Sequence, residues 1–199
     1  MQVVVVVLAA GASSRFGSQK LLADLAGRPV LQHTLDALAA AGLGDVVVVL
    51  GDGRAEIEQA IAWRVERRMT NERPGDGLSS SVRVGLDAAA EDERVDAALI
   101  VLGDQPAIRP EAIRAVLEAA AGSPAPFVRA AYATDGAPNP VLVRRAAWAM
   151  AAGLSGDRGL GPLLATRTDL VLAVPVEGVN PDVDTPADLA ALQPAEATS

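Results

Sequence analysis

The sequence predicts one α/β domain built on a mostly parallel sheet. Three short apolar runs carry that expectation: VVVVVL at Val3–Leu8, VVVVL at Val46–Leu50 and AALIVL at Ala97–Leu102, each followed closely by Gly or a Gly-Asp pair. Segments with helical spacing and alanine-rich composition lie between them, the pattern of right-handed βαβ units. Half of the 199 residues are hydrophobic and only 3% are aromatic, so the core must be assembled from Val, Leu, Ile and Ala. The length suits one such domain and is short for two.

The elements follow in order. After the first run, a helix is expected from Pro29 to just before Gly42, with Pro suited to a first turn and Gly to the position beyond the last. Further helices are expected over 55–62, 80–90 and 110–121. The second half is less regular: strands at 127–131 and 141–143, a helix over 145–152, a strand at 170–174, and a short helix capped by Thr185 and opened by Pro186. No repeat or linker marks a boundary, so one domain is placed over residues 1–192, with a flexible tail at 193–199.

Composition excludes several function classes. A formal charge of −8 argues against a nucleic-acid partner, because phosphate neutralisation over a broad surface needs clustered Lys and Arg. The absence of cysteine removes disulfides, thiolate metal sites and a cysteine nucleophile. MQVVVVVLAAG has no basic leader, and its apolar run is far shorter than a membrane span. It reads as a buried first strand, giving the expectation of a cytoplasmic protein without membrane attachment.

LAAGASSRFGSQK, from Leu8 to Lys20, ends on the only lysine in the chain. The loop begins at the carboxyl end of the first strand, where open α/β sheets bind ligands. Its small residues let backbone amides approach a polyphosphate, and Arg15 and Lys20 supply charge. A P-loop needs GxxxxGK followed by Ser or Thr, but five residues separate Gly11 from Gly17, and Lys20 stands two beyond Ser18. The dinucleotide fingerprint GxGxxG fails too, because position 13 is serine. An ordinary βα turn with a solvated Arg and Lys is the competing reading; length, glycine content, charge and sheet position favour phosphate.

LAAGASSRFGSQKLL resembles the signature LAAGxSxRxGxxKLL of the nucleotidyltransferases that activate molybdenum cofactor, the cytidylyltransferases and their guanylyltransferase relatives. The likeness continues through GLSSSVRVGL at 77–86, GDQP at 103–106, NPVL at 139–142, GDRGLGPLL at 156–164 and DVDTPADL at 182–189. Phe16, where many members have Met, is a departure between two apolar residues.

The resemblance implies a Rossmann-like three-layer α/β/α fold of nucleotidyltransferase type, with a nucleotide-binding half over about 1–106 and an acceptor-binding half over about 107–192. It implies Lys20, Arg15 and Asp104 as catalytic residues. Nucleotide would be bound by Leu8, Ala9, Ala10, Gly11, Ser14, Arg15, Lys20, Asn71, Gly77, Ser79 and Ser80, and acceptor by Gln105, Asn139 and Asp157. Mg²⁺ would be held by Asp104 and Asp184, since such an ion is usually bound by one or two carboxylates together with substrate phosphates. The substrates would be CTP, or another nucleoside triphosphate, and a molybdopterin-type acceptor, with a molybdenum hydroxylase or its chaperone as a partner.

Simpler readings stand beside several of these. Asp104 can be a turn residue, Asp184 can belong to a helix cap, and Ser79 or Ser80 can cap the helix that follows. Asp157 either binds ligand or shapes its turn. Arg144 and Arg145 either meet an acceptor phosphate or are a solvated helix start. His33 reads as a packed or surface histidine, and Trp63 and Trp148 as packing. Four functions stay open: the cytidylyl transfer; a transfer using GTP or acting on a sugar phosphate; an NAD(P)H-dependent oxidoreductase; and a non-catalytic chaperone for the cofactor.

Overall fold

The computed structural model describes residues 1–13, 15–133 and 138–193. Ser14 and the six residues after Gln193, which include all but one of the expected tail, lie outside the described residues.

The elements run β1 (Val3–Ala9), β2 (Asp24–Leu25), β3 (Arg28–Pro29), α1 (Val30–Ala40), β4 (Val46–Leu50), α2 (Arg54–Ala60), β5 (Arg67–Thr70), α3 (Leu78–Ala90), β6 (Ala97–Leu102), α4 (Pro110–Ala121), β7 (Phe127–Tyr132), β8 (Val141–Arg144), α5 (Trp148–Ala152), α6 (Gly161–Thr166), β9 (Val171–Val176) and α7 (Pro186–Leu192). A seven-stranded sheet has the order β5-β4-β1-β6-β8-β7-β9, and β2 and β3 form a separate small hairpin. Every pair in the large sheet is parallel except those made by β8, which runs antiparallel to both β6 and β7.

Strand periodicity sorts the apolar residues into two cores. Val5, Val7 and Ala9 of β1 face Leu31, Leu35 and Leu38 of α1, Ile57 of α2, and Ile113 and Val116 of α4. Val4, Val6 and Leu8 face the opposite way, into a cluster with Val82 and Leu86 of α3, Trp148 of α5 and Leu164 of α6. This makes a three-layer α/β/α domain. Gly85 marks where α3 lies tightest on the sheet: a Cβ there would overlap Val6 Cγ1.

From β1 the chain moves outward to β4 and β5, then returns through α3 to place β6 on the other side of β1. The reversal opens a crevice at the carboxyl ends of β1 and β6, where ligands bind in open α/β sheets. The Gly103 amide donates to the Leu8 carbonyl at 2.9 Å, joining the two strand ends at its floor.

Several expectations shift in detail, among them the helix expected over 55–62, which runs from Arg54 to Ala60. Pro29 ends β3 and precedes α1 rather than occupying its first turn. The helix expected from residue 80 begins at Leu78. The expected helix over 145–152 opens as a 3-10 turn, Arg145–Ala147, before α5. The strand expected at 170–174 runs instead from Val171 to Val176. Thr185 caps α7 as expected, in a reciprocal box with Asp188. Among the described residues no helix is long and apolar enough to cross a membrane.

Candidate active site

The loop after β1 is braced by its own polar side chains. Ser13, at φ +51°, donates through Oγ to Gln19 Oε1 at 3.0 Å and accepts from the Lys20 amide at 3.2 Å. Gln19 caps the 3-10 turn Lys20–Leu22, accepting from the Leu21 amide. Phe16 packs in a satellite cluster with Leu25, Val30, Val183 and Leu189. These contacts deliver Lys20 to the crevice with only 8% of its surface exposed.

Two acidic turns meet it there. Asp104 follows β6, in a turn that Thr34 of α1 supports by donating to the carbonyls of Gly103 and Gln105. The second turn is Asp182-Val183-Asp184. Val183 is completely buried, while the carboxylates on either side of it line the pocket. The Val183 amide donates to the Asp104 carbonyl at 2.9 Å, tying the turns together.

Lys20 Nζ stands between the carboxylates, 2.5 Å from Asp104 Oδ2 and 2.8 Å from Asp184 Oδ1. Arg15 approaches Asp184 Oδ2 from the solvent side at 2.8 Å. Burial works against the ammonium, but the charge and hydrogen bonds of Asp104 and Asp184 outweigh it and hold the Lys20 pKa above its ordinary value. The hydrogen bond from Lys20, aided by its charge and by Arg15, keeps Asp184 below the usual carboxylate range. Asp182 shifts the other way: burial, then the negative charges of Asp104 and Asp184, push it up against the hydrogen bond from Gln105.

These groups line a cavity of about 460 Å³, a size suited to a small-molecule ligand. Of the expected site residues, the cavity brings together Leu8, Ala9, Ala10, Gly11, Arg15, Lys20, Gly77, Asp104, Asp157 and Asp184. Gly77 has φ +91°, and a Cβ on it would press on Gly156 and the Asp157 carboxylate. That glycine therefore lets the start of α3 and the GDRG turn close on each other.

Other expected residues lie elsewhere. Asn71, Ser79 and Ser80 sit behind the cavity wall, nearly fully buried. The Asn71 amide donates to the hydroxyls of Ser80 and Ser81, and Ser80 donates to the Gly77 carbonyl, so these groups hold the wall rather than form it. Neither Ser79 nor Ser80 makes a side-chain cap on α3. Gln105 is fully buried, with Nε2 donating to Asp182 Oδ1 at 2.7 Å and Oε1 accepting from Asn180 Nδ2 at 3.0 Å. Its side chain does not line the cavity. Asn139 faces a smaller adjoining cleft of about 150 Å³, which shares Leu8, Leu78 and Leu102 with the main cavity and carries Arg158.

Arg144 and Arg145 serve neither reading given by the sequence. Arg144 clamps the carbonyls of Ala120, Ser123 and Ala125, and Arg145 those of Asp92 and Val95. His33 Nε2 pairs with the Leu25 carbonyl at 2.7 Å. Trp148 donates to Val143 and Trp63 to Glu58, both in packing positions.

Sequence reasoning missed Asp182, Ser81, Ser13 and Arg158. For Asp182 the signal was present: in an extended DVD segment the two aspartates share one side. Ser81 required knowing that α3 starts at Leu78, because that start sets which serine faces inward.

Two carboxylates at a cavity edge are hard oxygen donors of the kind Mg²⁺ or Mn²⁺ takes, and the ammonium between them marks a place that favours positive charge. Among the described residues no cluster of three His, Cys, Asp or Glu forms a closed metal cage. Asp104 and Asp184 alone supply two such donors, and a metal there would need further ligands from outside the chain.

A family model described as the MobA-like NTP transferase domain matches residues 5–171. The chain belongs to this family. Its fold is the Rossmann-like type of the nucleotidyltransferases. Solved structures similar to it include Rv0371c from Mycobacterium tuberculosis H37Rv, with 30% identity and a TM-score of 0.85 over 96% of this chain and 97% of that one. Rv0371c was also solved in complex with manganese, with 30% identity and a TM-score of 0.83 over 96% and 98% of the two chains. A nucleotidyl transferase from Methanothermobacter, Mth528, is 26% identical with a TM-score of 0.80, covering 96% of each chain. Among curated proteins, the bifunctional protein GlmU of Bordetella petrii is 34% identical over 117 residues, which are 58% of this chain and 26% of that protein. The chain thus spans about a quarter of the length of such relatives.

Proposed function

We propose that this member of the MobA-like family transfers CMP from CTP to a molybdenum-molybdopterin acceptor and releases pyrophosphate. The observation that carries the reading is the convergence of Lys20, Asp104 and Asp184 at the carboxyl edge, beside a cavity walled by the LAAG backbone. An acceptor phosphate oxygen attacks the α-phosphorus in line. As that bond forms, the bond to the α–β bridging oxygen breaks, and its electron pair leaves with pyrophosphate.

In this reading Lys20 and Arg15 bind the triphosphate and neutralise charge developing on the bridging oxygen. The amides following β1 orient it, Gly77 and Ser81 flank the nucleoside, and Asp157 faces the acceptor. Residues up to about 106 form the nucleotide half and those from about 107 to 192 the acceptor half. Asp104 and Asp184 would hold Mg²⁺ or Mn²⁺, which supplies charge neutralisation and joins the two substrates. A molybdenum hydroxylase or its chaperone would take up the product.

A second transferase reading, with GTP or a sugar phosphate, is supported by the cavity wall, where Gly77, Leu78 and Ser81 offer few side-chain groups to select a base. The charged site favours either transfer over an oxidoreductase or a chaperone, neither of which calls for a triphosphate-binding lysine beside paired carboxylates. Pyrophosphate release with each of CTP, GTP, ATP and UTP, using molybdopterin-bound molybdenum and then a sugar phosphate as acceptor, tests the choice. Release with CTP and the pterin alone is expected; release only with another pair would replace the assignment.

A further inference from the structure

The lone lysine occupies the place that the proposed function gives to a metal. Its ammonium touches one oxygen of each carboxylate, at 2.5 and 2.8 Å. A magnesium ion bound to those same oxygens at about 2.1 Å would lie in contact with Nζ. The same pair of oxygens cannot hold both cations. The ammonium is also in no position to leave without a new partner, since burial penalises a charge that loses its counter-ions. The third carboxylate nearby, Asp182, is engaged by Gln105 at 2.7 Å.

The same cavity provides the missing partner. Gly11, Ala12 and Ser13, in the loop that leads to Lys20, line it, where the phosphates of a nucleotide would lie. We propose that Lys20 is a placeholder cation. In the free protein it fills the gap between Asp104 and Asp184, and it passes to the triphosphate when nucleotide enters. Both carboxylates then become available to a divalent ion only in the nucleotide-bound state. This rests on the reading of the pocket as a nucleotide and metal site, and it adds an order of loading. The carboxylates never face each other without a cation, and the ion is recruited together with its substrate.

Two measurements test it. Mn²⁺ is titrated without nucleotide, following loss of the free-ion EPR signal, into the natural chain and into Lys20→Met and Arg15→Met variants whose folding is checked by circular dichroism. Lys20→Met is expected to bind Mn²⁺ about tenfold more tightly or better, because the competitor is gone. Arg15→Met removes the same charge from an exposed partner of Asp184 and is expected to gain less than about threefold. Equal gains in the two variants, or none in Lys20→Met, would overturn the proposal.

The second measurement needs no substitution. With one lysine in the chain, ¹⁵N-lysine labelling gives a single side-chain ammonium signal. Mg²⁺ alone, to about 5 mM, is expected to leave it in place, and Mg²⁺ with a nucleoside triphosphate to move it. Movement with Mg²⁺ alone overturns the placeholder. If none of the four triphosphates moves the signal while Lys20→Met still gains Mn²⁺, the nucleotide reading falls and the competition between lysine and metal stands.

Discussion

Lys20 reaches across the sheet edge to Asp104, Nζ to Oδ2 at 2.5 Å, although 84 residues separate them in the chain. Lys20 opens the 3-10 turn that closes the loop after β1 and Asp104 follows β6, so their pairing depends on β1 and β6 being neighbours in the sheet. Lys20→Ala and Asp104→Ala are each expected to cut turnover more than about tenfold with the fold intact. Lys20→Arg is the sharper test. A planar guanidinium keeps the charge but needs more room than the enclosed ammonium has, so about the same loss is expected from steady-state pyrophosphate release. Near-normal rates in Lys20→Arg would mean that charge alone is required.

Gln105 offers a separate test, because it is fully buried yet both ends of its amide are engaged beside the site. Gln105→Met keeps the volume and leaves Asp182 and Asn180 without their partner, at a cost of about 1–3 kcal/mol in stability. Burial already pushes Asp182 up, and the Gln105 hydrogen bond is what opposes it. Its loss should raise the Asp182 pKa further. Melting temperature and an NMR titration of the Asp182 carboxyl check the two halves. An unchanged titration with lowered stability would make Gln105 purely structural.

How much of this was legible from sequence depends on burial. β1, β4 and β6 are covered on both faces, so each reads as an uninterrupted apolar run. β5 carries Arg67 and Arg68 on an edge with exposed residues, and has no such signature. The antiparallel direction of β8 leaves no mark either, since a buried strand has the same apolar run whichever way it points. Lys20, Asp104 and Asp184 stood out because each follows a turn in a motif. Gln105 stands in the same GDQP motif as Asp104, and Asn71 six residues ahead of GLSSSVRVGL, but whether a polar side chain faces a cavity or supports its wall is set by packing between distant segments.

Arg144 bears on that distinction. Its guanidinium binds three backbone carbonyls between the end of α4 and β7, groups with few other protein partners at a helix terminus. Arg144→Ala is expected to lower stability by about 1–3 kcal/mol while leaving the KM for acceptor within about twofold. Chemical denaturation and steady-state kinetics separate the outcomes. A large rise in acceptor KM without loss of stability would return Arg144 to the acceptor site.

Asp36 gives a pH prediction away from the site. Burial would raise its pKa, but hydrogen bonds from Arg64, Gln32 and Arg28 and the charge of Arg64 prevail, so the folded value lies below that of an ordinary aspartate. A carboxyl depressed on folding contributes stability that is present above its unfolded pKa, near 3.8, and is lost as pH falls through the folded value. Asp36→Asn should therefore destabilise the protein at neutral pH by up to about 1 kcal/mol, since the partners are exposed and screened. The two proteins should converge in stability below the folded value, and added salt should narrow the neutral-pH difference. Urea denaturation at pH 7 and pH 3, in low and high salt, checks both; a difference that grows on acidification would refute the linkage.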